Sequence, residues 1–191
     1  MKHLLLSLSL LGVLSLGAQK RGHIRAEGKL PDAQSMQIAT FEREYRYQRT
    51  DGREACIRLQ STSDSTSVLQ YWQGDSLSSE WPIDCPVFQF QCADLTADSI
   101  PEIALGVERA SRYARYTSRR LWLLKLYDED VIRPLWLSSR LTYNLINFQL
   151  EPPSDAHPHK AWVIHTWQQT EQGENVELWY RQKGFGVKNI P

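Results

Sequence analysis

The sequence has little that would identify an enzyme or a nucleic-acid-binding protein. Its 191 residues contain 22 basic and 22 acidic side chains, so no excess charge directs the chain to nucleic acid or to an anionic membrane. It contains no G-x-S-x-G elbow, phosphate-binding loop, H-E-x-x-H pair or dinucleotide fingerprint. The balanced charge argues against general nucleic-acid binding. The missing motifs mean that a catalytic site, if present, would have to be assembled from residues far apart in the sequence.

Helical periodicity is absent after residue 18, and no later run is apolar and long enough to cross a bilayer. The first 18 residues place Lys2 and His3 before a leucine-rich run that ends in small residues. This layout predicts a secretory signal peptide over 1–18, cleaved near Ala18, and hence export to the periplasm, the cell surface or the extracellular medium. The polar composition of 19–35 predicts a flexible leader.

Cysteine is scarce, and the chain has three of these residues, Cys56, Cys85 and Cys92. In an oxidising compartment this number allows one disulfide and leaves one thiol over. If a bridge forms, the preferred pair is Cys85 with Cys92, since both flank the short apolar run Val87–Phe90. The alternative is that all three are small, buried apolar side chains.

The sequence is rich in apolar and polar residues that alternate, which predicts β-strands from residue 36 onward. Two alternating runs lie on either side of Asp51-Gly52, a strong signal for a β-hairpin. Further turns are predicted at Ser61–Ser67 and at Gln73-Gly74-Asp75. We therefore expect one β domain over 36–191.

Internal repeats group these strands into larger units. Phe90-Gln91 recurs 58 residues later as Phe148-Gln149, and the same offset places Ile103–Leu105 on Ala161–Val163. A second element, an aromatic-rich strand followed by a polar turn and another strand, occurs at Val68–Trp81, at Leu123–Trp136 and from Val176. The repeats predict an all-β fold of three antiparallel four-stranded meanders, like blades of an incomplete propeller. A β-sandwich is the alternative.

We expect the domain to be organised around an acidic loop between two of the strands. Oxygen-bearing side chains stand at alternate positions of this loop, and one residue between them is placed to offer a backbone carbonyl; the set is Asp94, Thr96, Asp98, Ile100 and Glu102. Such spacing suits a hard cation, so the loop is a candidate calcium site. The alternative is that Asp94 and Asp98 only hydrogen-bond the turn.

The residues Asp94–Val107 resemble the integrin-type FG-GAP repeat, whose loop reads D-x-D/N-x-D-G-x-x-D/E before an apolar strand. The chain differs at Thr96, where a carboxylate or Asn is usual, and at Ser99, where Gly is usual. Over about 90–191 the pattern is similar to FG-GAP or VCBS-like repeat proteins, in particular to small secreted bacterial proteins without an assigned activity. The resemblance implies propeller blades and a calcium loop.

A second candidate site is basic and is called the Arg/Tyr segment below. Between residues 109 and 120 five arginines occur without an acid, and two tyrosines are interleaved. Guanidinium groups bind carboxylates, sulfates and phosphates through paired hydrogen bonds, and tyrosine rings offer flat faces. The candidate residues for binding an anionic glycan or protein partner are Arg109, Arg112, Tyr113, Arg115, Tyr116 and Arg119. The alternative is a solvated loop whose arginines pair with Asp128, Glu129 and Asp130.

Two function classes remain. The first is a non-catalytic binding or scaffold module of the periplasm or cell surface that uses the Arg/Tyr segment. The second is a hydrolase or glycan-processing enzyme with acids from several loops. If Asp94, Asp98 and Glu108 converge with the Arg/Tyr segment in one cleft, the enzyme is favoured, and if they are spread apart, the binding module is favoured. Two further predictions concern histidines. His157 and His159 are expected to lie in a solvated polar turn, and His165 is expected to be a core or interstrand residue.

Overall fold

The computed structural model describes residues 42–110, 115–138, 141–155 and 160–190. All of these belong to one compact unit, Gln37–Pro191. The predicted signal peptide at 1–18 and the predicted leader at 19–35 lie outside the described residues.

The described residues form twelve β-strands joined by short turns and loops. Their bounds are β1 (Glu42–Gln48), β2 (Glu54–Ser61), β3 (Ser67–Gln73), β4 (Ser76–Ile83), β5 (Val87–Ala93), β6 (Glu102–Arg109), β7 (Ser118–Tyr127), β8 (Val131–Leu137), β9 (Asn144–Glu151), β10 (Val163–Gln169), β11 (Asn175–Lys183) and β12 (Gly186–Ile190). Within this described part of the chain there is no helix of the length and apolar character needed to span a membrane.

The strands form three four-stranded sheets, and in each sheet every strand pairs antiparallel with the strand next to it in the chain. Sheet 1 contains β1 to β4, sheet 2 contains β5 to β8, and sheet 3 contains β9 to β12. The prediction of an all-β fold built from three antiparallel four-stranded meanders is therefore confirmed. The first strands of the three sheets are neighbours in space, since β5 contacts both β1 and β9.

The repeated sequence elements occupy equivalent strands, with one correction. The aromatic-rich element is the third and fourth strand of each sheet. The offset of 58 holds for the first strands, but Phe90 pairs with Leu105 whereas Phe148 pairs with Thr166. The second strands are therefore offset by 61, not 58. The cause is loop length, because eight residues separate β5 from β6 and eleven separate β9 from β10.

Sheet 2 lies between the other two sheets and is covered on both faces. One face packs with sheet 1 in a buried cluster that includes Phe90, Leu105 and Trp122. The opposite face packs with sheet 3 in a second cluster that includes Phe88, Ala104 and Leu123. Strand β6 is buried from Glu102 to Val107. This burial on both faces explains why its sequence is a continuous apolar run rather than an alternating one.

A buried arginine joins sheet 1 to sheet 2 at one end of the molecule. The Arg49 side chain, only 8% exposed, donates from Nη1 to the Tyr71 hydroxyl at 3.2 Å and to the backbone carbonyl of Glu129 at 3.2 Å. It also lies 3.4 Å from an Asp130 carboxylate oxygen, while the Thr50 hydroxyl donates to the Glu129 carboxylate at 2.6 Å. These contacts link residues about 80 positions apart, so they fix the β7–β8 turn against sheet 1.

The cysteines correct the expectation of a Cys85–Cys92 bridge. Cys56, Cys85 and Cys92 are all described, and none of them forms a disulfide. Val87 and Cys92 lie in β5 and are separated by five extended residue steps, about 16 Å. The two residue steps from Val87 back to Cys85 can recover only about 7 Å, so the two Cα atoms stay outside the 4.4–6.8 Å usual for a disulfide. Cys56 and Cys85 are instead buried, and burial raises the pKa of the Cys85 thiol to about 11.

The packing between sheets 2 and 3 generates a prediction at Gly106. A Cβ atom added there would lie 2.5 Å from Cζ of the buried Phe88 ring, closer than packed carbon atoms tolerate. We expect Gly106→Ala to lower the free energy of unfolding by about 1–3 kcal/mol through overpacking, as measured by urea denaturation. Gly186→Ala is the matched control, since its added Cβ would lie 3.7 Å or more from Trp136. Equal stability of the two variants would contradict the packing described.

Candidate functional site

The acidic loop connects β5 to β6 and is closed by its own side chains. The Asp94 carboxylate accepts backbone N–H groups from Thr96 at 3.3 Å, Asp98 at 3.2 Å and Ser99 at 2.8 Å. Asp98 in turn accepts the N–H of Ile100 at 2.9 Å. Both carboxylates thus hold the turn, which is the hydrogen-bonding role that we gave as the alternative to calcium binding.

Ser99 stands where the resembling repeats have Gly, and its backbone shows why that position favours Gly. Its φ is +69°, in the left-handed region, and Ala97 has a φ of +61°. Residues other than Gly are disfavoured in that region, because their Cβ atom comes too close to the backbone. The carboxylate of Asp94, which accepts the Ser99 N–H, stabilises the turn in spite of this strain.

Glu102 closes the loop from the first position of β6. Its carboxylate accepts the N–H of Leu95 at 2.8 Å and the hydroxyl of Thr96 at 3.0 Å, and the residue is almost completely buried. Burial, to which the charges of Asp98 and Asp94 add, raises the pKa of Glu102 to about 7 in spite of these two hydrogen bonds. Near neutral pH the buried carboxyl is therefore partly protonated.

Whether this loop can hold a calcium ion depends on which of its oxygen atoms are available as ligands. Both oxygens of Glu102 are already acceptors within the loop. Among the described residues, no group of three or more His, Cys, Asp or Glu side chains is arranged to hold a metal ion. The loop in this geometry does not offer a converging carboxylate set, so calcium binding by Asp94, Thr96, Asp98, Ile100 and Glu102 stays a prediction and carries no part of the function proposed below.

The Arg/Tyr segment forms the connection between β6 and β7. Arg109 is the last residue of β6 and pairs in register with Ser118, the first residue of β7. The segment therefore lies at the end of a hairpin, with Arg109 in β6 and Arg119 and Arg120 in β7. Arg112 and Tyr113 lie outside the described residues.

Two of the described arginines have roles within the fold. Arg119 donates to the Glu108 carboxylate at 3.2 Å and to the backbone carbonyl of Ile146 at 2.8 Å, and its guanidinium lies over the Phe88 ring. Arg120 is buried and donates to the backbone carbonyl of Arg109 at 3.1 Å. Arg119 thus connects sheet 2 to the first strand of sheet 3, which its position in the sequence did not reveal.

The remaining described residues of the segment face solvent. Arg115 and Tyr116 are exposed, and Tyr116 is 60% exposed. Arg109 is half exposed, lies over the Trp122 ring, and forms an ion pair of 2.8 Å with Asp84, which is itself exposed. Among its described residues, the hairpin end therefore presents two arginines and one tyrosine ring to solvent.

The pairing of the arginines with Asp128, Glu129 and Asp130 is wrong for the arginines that the structure describes. Arg109 pairs with Asp84 and Arg119 pairs with Glu108. The acidic turn is at the other end of β7 and interacts with sheet 1 through Arg49, as described above. The turn also has positive φ values of +50° at Asp128 and +55° at Glu129, which match the twist of a tight hairpin.

The acidic loop and the Arg/Tyr segment lie at opposite ends of the same strand. The loop ends at Glu102 and the segment begins at Arg109, and the seven residue steps between them span roughly 23 Å of extended chain. Glu108 lies at the basic end, but there it is bound to Arg119. Asp94 and Asp98 thus do not converge with Glu108 and the arginines in one cleft.

One arrangement that the sequence did not reveal as a cluster is centred on His165. The predicted interstrand position of this residue is confirmed, since it is buried in β10. Its ring contacts Glu151 of β9 and Glu177 of β11, and it lies against Trp167 and Trp179. The signal for this cluster was the alternation of His165 with Trp167 and of Glu177 with Trp179, which becomes informative only once the strand register is known. His157 and His159 lie outside the described residues.

Comparison with known proteins gives no family for this chain. No protein-family model matches it, and neither a curated protein nor a solved structure matches it significantly. The resemblance to FG-GAP repeats is therefore neither supported nor opposed by these comparisons.

Glu102 generates a prediction on the pH dependence of stability. Its pKa is about 7 in the folded protein against an ordinary value of 4.5, so between these pH values the folded state binds a proton that the unfolded state has lost. The free energy of unfolding should therefore fall as pH rises from about 4.5 to about 7, by on the order of 3 kcal/mol.

Glu102→Gln keeps the shape of the protonated carboxyl and cannot ionise. We expect this variant to lack that decrease and to be more stable than the wild type above pH 7, in denaturant unfolding followed at a series of pH values. The interpretation would be wrong if the two proteins showed the same slope across this pH range.

Proposed function

We propose that this protein is an exported, non-catalytic binding or scaffold module that recognises an anionic partner with the end of the β6–β7 hairpin. The observation that carries the proposal is the separation of acidic and basic groups along β6. Acid–base chemistry on a substrate held by the arginines would need acids within hydrogen-bonding reach of that substrate. Asp94 and Asp98 are at the far end of the strand, and Glu108 is engaged by Arg119.

The hairpin end has the chemistry of an anion-binding surface. Arg115 offers an exposed guanidinium, which can donate two parallel hydrogen bonds to a carboxylate, sulfate or phosphate. Tyr116 places an exposed ring beside it, and such a ring packs against the flat face of a sugar or of a peptide group. A glycan or an acidic protein segment would both satisfy these groups.

Arg109 is placed to take part although it already has an acidic partner. Both side chains of its ion pair with Asp84 are exposed to solvent. Exposed ion pairs contribute little to the free energy of folding, because solvent screens them. A ligand carboxylate or sulfate could therefore replace Asp84 at little cost. Arg119 differs, since its contacts with Glu108 and Ile146 hold sheets 2 and 3 together.

The close packing of β6 and β7 next to the hairpin end favours a binding role. Val107 and Leu121, close to the hairpin end, are fully buried, and Arg120 bonds across the hairpin to Arg109. A binding group presented from an ordered base loses less entropy when it engages its partner than a group on a long flexible loop.

The test measures binding of three soluble anionic probes, namely sulfated dextran, hyaluronate and poly-glutamate, by isothermal titration calorimetry. We expect binding to at least one probe at low salt and weaker binding at an ionic strength of about 0.15 M, where the Debye length is about 8 Å. Arg115→Ser should weaken binding about tenfold, the equivalent of one charge-assisted hydrogen bond. The melting temperature should not change, because Arg115 is exposed.

Arg53→Ser is the matched control, since it removes the same charge from an exposed position on the Asp51-Gly52 hairpin. We expect this variant to bind like the wild type. Equal weakening by both substitutions would show attraction by overall charge rather than a site. The proposal would also be wrong if the wild type bound none of the probes at low salt. The preferred probe distinguishes a glycan from an acidic protein partner.

A further inference from the structure

The cluster around His165 contains more hydrogen-bond acceptors than a neutral histidine can satisfy. Nδ1 of the ring lies 2.8 Å from Oε1 of Glu151, and Nε2 lies 3.0 Å from Oε2 of Glu177. A neutral imidazole has one N–H and one nitrogen lone pair. One of the two contacts would then place a lone pair against a carboxylate oxygen, which is repulsive.

The two glutamates cannot easily supply the missing proton. Glu151 already accepts the indole N–H of Trp179 through its second oxygen, at 3.3 Å, so both of its oxygens act as acceptors. The Glu177 side chain is 53% exposed, and contact with water stabilises the charged form of a carboxyl group. Imidazole is also the more basic of the two groups in water. The proton therefore belongs on the ring.

Two tryptophans provide an environment that suits a cationic ring. The Trp179 ring stacks on the His165 ring with a centroid distance of 4.2 Å and an interplanar angle of 11°. The Trp167 ring lies on the same face of the sheet at 4.1 Å, tilted by 38°. Cations are attracted to the π face of tryptophan more than to that of any other side chain. The indoles also cover the His165 side chain, which is 8% exposed.

Two further ionisable side chains lie on this face of sheet 3. The register places Arg181 of β11 and Lys188 of β12 opposite each other on this face, and Arg181 is two residues after Trp179 in β11. On β9 and β11 the groups that reach the imidazole are the carboxylates of Glu151 and Glu177. Each ring nitrogen thus has a carboxylate oxygen within hydrogen-bonding distance, and the two carboxylates come from different strands.

We infer that His165 is a buried imidazolium, and that it forms a proton-binding site which ties β9, β10 and β11 together on the outer face of sheet 3. Each ring N–H makes a charge-assisted hydrogen bond to a different neighbouring strand. Loss of the proton would convert one of these bonds into a repulsive contact.

The test is nuclear magnetic resonance of the ring nitrogens in the 15N-labelled protein at neutral pH. We expect both nitrogens of His165 to have the chemical shifts of protonated nitrogens, with two ring N–H protons that exchange slowly with water. His165→Gln assigns the signals by their disappearance. One unprotonated ring nitrogen in the wild type would overturn the inference, whether the missing proton were on Glu177 or absent.

Glu177→Gln gives a second, independent test. A glutamine amide can donate its own N–H to Nε2, so the ring can be neutral without repulsion. We expect this variant to lose the Nε2 proton signal and to keep the Nδ1 proton that Glu151 accepts. Glu174→Gln is the control, since it makes the same chemical change at an exposed position in the β10–β11 turn, and it should leave both signals in place. Retention of both ring protons in Glu177→Gln would show that the Glu177 charge is not what holds the proton on Nε2, and would overturn its place in the proton-binding site.

Discussion

The rest of the structure depends on strand β6 being covered on both faces. Its side chains alternate between the cluster shared with sheet 1 and the cluster shared with sheet 3, and every residue from Glu102 to Val107 is buried. Sheet 2 cannot be exposed on either side without placing this apolar strand in water, at a cost of about 25 cal/mol for each Å² of apolar surface. The two outer sheets are therefore required parts of one packing unit.

The outer faces of sheets 1 and 3 have a different character, and this explains how a stack of three sheets ends. On sheet 1 the Glu44 carboxylate accepts from both Arg46 and Arg58, and the Arg58 guanidinium lies over Trp72. On sheet 3 the corresponding positions are taken by His165 and the carboxylates and indoles around it. Polar outer faces on terminal units are what repeat proteins need to remain soluble.

Much of the architecture could be predicted from the sequence, because local patterns determine it. Alternation and turn residues located most strands, and the repeated elements grouped them in fours. The apolar run after Glu102 indicated a strand, but its burial on both faces became evident only from the structure. The Asp94 loop was placed correctly between two strands, since its spacing of oxygen side chains is a local property.

Long-range pairings could not be predicted in this way. Arg49 meets the Asp128–Asp130 turn from about 80 residues away, and no local signal connects them. For the same reason the partners of Arg109 and Arg119 were assigned wrongly, and the disulfide was placed across an extended strand. His165 was recognised as an interstrand residue, but its glutamates come from two other strands, and register must be known to bring them together.

Native-state hydrogen exchange is the measurement that tests the central role of β6 most directly. If both faces of this strand must stay covered, its amides can exchange only when the whole domain unfolds. Their opening free energy should then equal the global free energy of unfolding from denaturant titration, and the amides of β1 and β12 should open at or below that value. The account would be contradicted if β6 amides exchanged through an opening well below the global value, because the strand could then lose its cover without unfolding the protein.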